Sequence, residues 1–184
     1  MVQIQTNLEL EILLHLARGK DHLRQIARAT STPHATVFRS LIRLLDENVL
    51  DSSVSGRNKV FSIRKNLQAK AYLAMAEQYK LRKTLAKYPK LGIILSDLLA
   101  STDAPLIVLF GSFAKFSAKE GSDIDVYVDT EEPALRRKLE AIHSDLGVKT
   151  GPFDLNSVLI KEIVKNHVIL RGEDRFYEKT GFFA

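Results

Sequence analysis

Two aspartates, Asp123 and Asp125, open a run of β-prone residues that continues Val126-Tyr127-Val128. Successive strand side chains alternate faces, so both carboxylates point one way. Ile124, Val126 and Val128 then point the other way, where a core belongs. Two carboxylates held side by side repel each other, and a divalent cation between them relieves that repulsion. Oxygen-only ligands suit Mg²⁺, which usually completes its shell with substrate phosphates. Upstream, the apolar run Leu106-Ile107-Val108-Leu109-Phe110 stops at Gly111-Ser112, with ten residues, Phe113 to Ser122, between that pair and Asp123. Gly111 allows close backbone approach and Ser112 offers a hydroxyl. A helix starting there would add free N–H groups, so the pair can receive a phosphate.

The elements that must position these groups are a strand ending at Gly111, a second strand from Asp123, and a third bringing another carboxylate. The third strand is expected over Phe153 to Ile160, after a Gly147 to Gly151 loop, with Asp154 at its start. Leu91 to Leu99 reads as a short helix leading into the first strand. Glu131-Glu132-Pro133 opens a helix to about Leu146, with acidic residues and Pro in its first turn. Lys161 to Leu170 reads as a closing amphipathic helix.

Strand, Gly-Ser, ten-residue gap, Ser122-Asp123-Ile124-Asp125 and apolar strand resemble the DNA polymerase β-like nucleotidyltransferases, above all the small prokaryotic minimal nucleotidyltransferases. The resemblance covers roughly residues 90 to 184. The family usually continues Gly-Ser-x-Ala-Arg-Gly. Here Gly111-Ser112-Phe113-Ala114-Lys115-Phe116 has Lys for Arg and Phe for the last Gly. The resemblance implies transfer of a nucleoside monophosphate, AMP from ATP, to a hydroxyl by a two-metal mechanism. Asp123 and Asp125 would hold two Mg²⁺ ions, and Asp154 would be the third carboxylate, ligand and base. Gly111 and Ser112 would hold the β and γ phosphates, with Lys115 neutralising charge. Asp129, on the face of Asp123 and Asp125, is the competing carboxylate and is expected to be solvated. The tail Arg171 to Tyr177 would pack beside the site. The resemblance also implies a possible antitoxin role on a tyrosine of a separate HEPN-type toxin. The alternative is a transcription regulator whose nucleotidyltransferase domain is inactive and senses nucleotide.

The first half carries a different pattern. Thr6 can cap a helix with Leu8, Leu10, Ile12, Leu13 and Leu16 inside, ended by Gly19. Asp21 caps a second helix with Leu23, Ile26 and Ala27 inward. Thr32 caps a third, with Pro33 at its first position and the stripe Val37, Leu41, Leu44 and Leu45. Strands at Val49 to Val54 and Lys59 to Ile63 flank a Gly56-Arg57-Asn58 turn. Three helices followed by a basic hairpin resemble a winged helix-turn-helix over about residues 6 to 65. In that fold the third helix enters the major groove and the wing lies over the backbone. His34, Thr36, Arg39, Ser40 and Arg43 lie off the apolar stripe and would face double-stranded DNA, with Arg57 and Lys59 on the wing.

The expected class is therefore α+β. A winged helix-turn-helix occupies 1–65, a linker helix 66–89, and a nucleotidyltransferase-like mixed sheet packed against helices 90–184. The linker helix offers a stripe to a second copy, hence an expected homodimer. Residues 1–88 carry 15 Lys/Arg and 7 Asp/Glu, a net +8, and residues 89–184 carry 12 and 15, a net −3. A basic half joined to an acidic one suggests a nucleic-acid module fused to something else. The absence of cysteine excludes disulfides, thiolate zinc sites and thiol catalysis. The five histidines show no metal-ligand spacing. No run is long enough to span a membrane, and acidic residues interrupt the N-terminal apolar pattern, so no signal peptide is expected. The expected location is the cytoplasm.

Overall fold

The computed structural model describes residues 7–183, and the expected cap Thr6 lies outside them. The chain divides into two compact units, one running to Tyr79 and the other from Lys80 to Phe182.

The first unit begins with α1 (Leu8–Leu16), capped by Asn7, whose side chain accepts from the Leu10 N–H. Strand β1 (Asp21–His22) and α2 (Leu23–Ala29) follow. His22, rather than the expected Asp21, caps α2 by accepting from the Gln25 N–H at 3.2 Å. Asp21 is instead held in β1, against His15 at 2.9 Å. Helix α3 (His34–Asp46) starts at Pro33 without a side-chain cap. Thr32 does not cap it, because its hydroxyl donates to the Thr30 carbonyl. Strands β2 (Leu50–Ser55) and β3 (Asn58–Ile63) form the hairpin, with Gly56 at φ +61° supplying the left-handed turn. The sheet order is β1-β3-β2, all antiparallel. Ile12, Leu13, Ile26, Val37, Leu41, Leu44 and Phe61 are buried. This is the winged helix-turn-helix arrangement, with α3 third and the β2–β3 hairpin as wing.

Helix α4 (Leu67–Lys87) carries the chain from one unit into the other. In the second unit, α5 (Leu91–Ala100) precedes β4 (Ile107–Leu109), the short α6 (Gly111–Ala114) and β5 (Ile124–Val128). Then come α7 (Pro133–Glu140), β6 (Leu146–Thr150), α8 (Val158–Lys165), β7 (Val168–Arg171) and α9 (Glu173–Lys179). The sheet order is β6-β5-β4-β7, with β5–β6 parallel and the other pairs antiparallel. One face, bearing Ile107, Leu109, Ile124, Val126, Val128 and Val148, packs with Leu91, Leu95, Leu98 and Leu139. The other face carries Asp125 and Tyr127, as strand alternation requires. The aromatic chain Tyr127–Phe153–Phe176–Tyr177 runs along this second side, with ring centroids 5.5–5.9 Å apart.

Three expectations for this unit are corrected. The third strand is β6, which fills the expected loop and truncates the helix expected to reach Leu146. Residues 153–160 form a turn and the start of α8, because Ile160 and Ile163 are buried at helical spacing. The expected closing helix gives way at Val168-Ile169-Leu170, all buried, where Val168 and Ile169 pair with β4 and a register shift passes over Leu170.

Candidate functional site

The Gly-Ser turn and the aspartate strand meet through backbone. The Phe110 N–H donates to the Asp125 carbonyl at 2.9 Å, which brings Gly111 against the Asp125 side chain. Gly111 sits at φ +68°, and a Cβ there would collide with Asp125 Oδ2. On the other side lies Gly147, whose added Cβ would stand 3.6 Å from Asp125 Oδ1. The carboxylate thus occupies a slot between two glycine backbones. Burial, and then the charge of Asp123, push the Asp125 pKa up, while Lys149 opposes them. A desolvated carboxylate beside a like charge is the state that a bound cation relieves, so the Asp123–Asp125 pair fits a divalent ion.

The loop after Gly111 keeps a glycine-like shape without a glycine. Phe116, at the position of the resembled pattern's last Gly, has φ +57°. A bulky residue in that region costs about 1–2 kcal/mol. Lys87 Nζ donates to the Phe116 carbonyl at 2.6 Å. Lys83 and Lys87 also lie 5.9 and 5.5 Å from its ring centroid, within cation–π range. Ser112 is partly buried, and its carbonyl accepts from the Ser117 N–H at 2.9 Å.

The other sequence-selected groups do not join this pair. Lys115 is ion-paired with Glu162 of α8 at 2.7 Å, a bond that holds the Glu162 carboxyl below its usual range. Asp154 lies on an exposed turn rather than a strand, and its Oδ1 accepts from the Asn156 N–H and Nδ2 at 2.9 and 3.1 Å. Asp129 is not solvated: its side chain is 13% exposed and pairs with Lys179 at 3.0 Å. It also accepts from the Tyr127 hydroxyl at 3.3 Å. Burial, then Asp129, raises the Tyr127 pKa. Among the described residues no three His, Cys, Asp or Glu side chains converge on one metal position. The three-carboxylate set expected for two Mg²⁺ ions is therefore not assembled.

In the first unit, α2, α3 and the wing enclose a groove of about 360 Å³ lined by His22, Arg24, His34, Phe38, Arg57 and Lys59, among others. His34, Arg39, Arg57 and Lys59 are exposed, and Arg39 donates to Thr36 Oγ1 at 3.5 Å. Ser40 is corrected: it is 1% exposed and accepts from Arg43 Nη2 at 3.1 Å. Arg43 is also held by Glu9 of α1 at 2.6 Å. Sequence reasoning missed His22, Arg24 and Phe38. Phe38 carried a signal, since it lies off the apolar stripe of α3 and is 44% exposed.

No curated protein matches the chain. Among solved structures, it is similar to the adhesin competence repressor AdcR of Streptococcus pyogenes. That likeness has 22% identity and a TM-score of 0.40, and covers 48% of this chain and 66% of that one. ZitR of Lactococcus lactis matches at 24% identity and a TM-score of 0.39, covering 48% and 60%. Sso10a-2, a DNA-binding protein of Sulfolobus solfataricus, matches at 15% and 0.36, covering 47% and 90%. The chain thus spans less than two thirds of the length of AdcR and ZitR. Scores this low give the winged-helix topology no support beyond its own strand order. The sequence match is more specific: residues 95–180 fit the family model described as polymerase beta, nucleotidyltransferase. The second unit of this chain carries a nucleotidyltransferase domain of the polymerase β type.

Proposed function

We propose that this protein is a cytoplasmic, dimeric DNA-binding protein whose nucleotidyltransferase domain binds ATP with a divalent cation and passes AMP to a hydroxyl. The observation that carries the nucleotide reading is the Gly111–Asp125 contact. It sets the turn suited to phosphates against the carboxylate suited to a cation. Asp123 and Asp125 would hold the cation, which when bound neutralises phosphate charge and polarises the reacting phosphorus centre. Gly111 would let the triphosphate approach the backbone, and the Ser112 hydroxyl would hydrogen-bond a phosphate oxygen. The resemblance set out above supplies a candidate acceptor, a tyrosine of a separate HEPN-type toxin. The groove of the first unit, with Arg24, Arg57 and Lys59 around Phe38, supports duplex DNA as the other ligand.

A second reading is favoured by a specific observation. Asp154 stands apart on its exposed turn, and among the described residues no third carboxylate converges with Asp123 and Asp125 on one metal position. On that reading the domain binds nucleotide and regulates DNA binding without transfer. Calorimetry with ATP, with and without Mg²⁺, tests the shared part. Binding should require Mg²⁺, fail in Asp125→Asn and weaken less in Ser112→Ala, which loses one hydrogen bond of roughly 1.5–3 kcal/mol. Equal, metal-independent binding in all three proteins would reject both readings. Transfer of labelled AMP to candidate acceptors then separates enzyme from sensor.

A further inference from the structure

We propose that Phe38 of α3 reads the C5 methyl group of a thymine in the major groove, and so sets part of the DNA sequence preference. This rests on the DNA reading above and names a base that the site selects. Helix α3 gives the groove His34 and Phe38, which lie one turn apart on a single face. Both belong to the N-terminal half of α3, the part of a recognition helix that meets base edges. The cations come from the elements packed around it, Arg24 from α2 and Arg57 and Lys59 from the wing. Arg39, the next residue along α3, is exposed as well.

A phenyl ring among these cations is explained only by an apolar group that meets it. Phe38 is 44% exposed, whereas Phe61, the other phenylalanine of the groove, is 1% exposed and serves the core. The buried stripe of α3 is complete without Phe38, because Val37, Leu41 and Leu44 are fully covered. The ring carries no charge and no hydrogen-bonding group, so it holds no phosphate. On a duplex the phosphates meet Arg24, Arg57 and Lys59, and the base edges between the two backbones face α3. The apolar group that those edges present in the major groove is the thymine methyl. Contact between that methyl and the ring removes apolar surface from water on both partners.

The test is selection of randomised duplexes on the full-length protein, followed by fluorescence anisotropy on the selected duplex. Uracil, which differs from thymine only by the missing methyl, is substituted at each thymine in turn. At one position per bound chain the change should weaken binding about fourfold, the worth of one buried methyl-sized group. Phe38→Ala should bind the thymine duplex more weakly and bind the two versions alike. Phe38→Leu, which keeps an apolar side chain there, should keep much of the difference. The salt slope should be equal in all three proteins, since no phosphate contact is lost. Phe38 lies outside the core stripe, and circular dichroism checks the fold. A selected site without thymine, an unaltered protein indifferent to the methyl, or a Phe38→Ala variant that discriminates as before would overturn the proposal while leaving the DNA reading intact. A shallower salt slope in Phe38→Ala would overturn it too. Absence of duplex binding by the unaltered chain would remove both.

Discussion

Asp125 is held in the folded chain at an electrostatic cost, and that cost can be measured. Burial first, and Asp123 second, raise its pKa above the usual carboxylate value. The native state therefore binds this proton more tightly than the unfolded chain. The associated stability is present at low pH and is lost as pH rises through the raised native value. Asp125→Asn removes the charge and should raise the thermal midpoint at pH 7. The gain should fade towards pH 4, where the native carboxyl is increasingly neutral. Mg²⁺ with ATP should stabilise the unaltered protein and not this variant. A destabilised Asp125→Asn protein at pH 7 would contradict the account.

Phe116 offers a second test at the same scale. Phe116→Gly relieves the left-handed strain but loses the ring held by Lys83 and Lys87, so its stability should change by less than about 1 kcal/mol. Phe116→Ala loses the ring and keeps the strain, and should cost about 1 kcal/mol more than the glycine variant. Urea unfolding of the pair decides. A glycine variant less stable than the alanine one would mean that φ +57° carries no strain here.

At the scale of elements, the readable parts were those fixed by local chemistry. The hairpin turn was marked by Gly56, α5 by its apolar spacing, and β5 by the alternation that put Asp125 opposite Val126. The Gly111 turn was readable because no other residue tolerates both its φ and its contact with Asp125. Residues 146–171 were misread because their structure is decided by distant partners. β6 exists by pairing with β5, and β7 by pairing with β4, which lies some sixty residues earlier in the chain. Val168-Ile169-Leu170 is an apolar run that periodicity cannot assign alone to helix or strand. Asp154 was misplaced for the same reason, since a carboxylate after Gly-Pro looks like a strand start until β6 is seen to end at Thr150. The end of β7 is fastened by Arg171, whose guanidinium donates to the carbonyls of Leu99 and Thr102 at 2.8 and 2.5 Å. Arg171→Ala leaves those acceptors without their charged donor and should cost about 2–4 kcal/mol. Arg171→Lys should recover little of this, because one ammonium cannot reproduce the planar fork. Equal stability of all three proteins in urea would show that the fastening is dispensable.

The whole molecule separates its charge, +8 in residues 1–88 and −3 in residues 89–184. A duplex would be drawn to the first unit, where Arg24, Arg57 and Lys59 line the groove, and repelled by the second. Each phosphate neutralised on B-DNA releases counterions and contributes about −0.9 to the slope of log affinity against log salt. If those three cations each meet a phosphate, the slope should be about −3 for one chain and about −5 to −6 for a dimer on two half-sites. Binding isotherms of the full chain between low and moderate salt therefore report assembly as well as charge, and light scattering on the free protein gives an independent count. Arg57→Ala should weaken binding to every sequence and lower the slope by about one per bound chain, so by about two for a dimer. Arg39→Ala, on the exposed face of α3, should relax sequence preference more than it changes the slope. A salt-independent affinity would reject the DNA reading. A slope near −3 together with a monomeric mass would keep the DNA reading and reject the dimer.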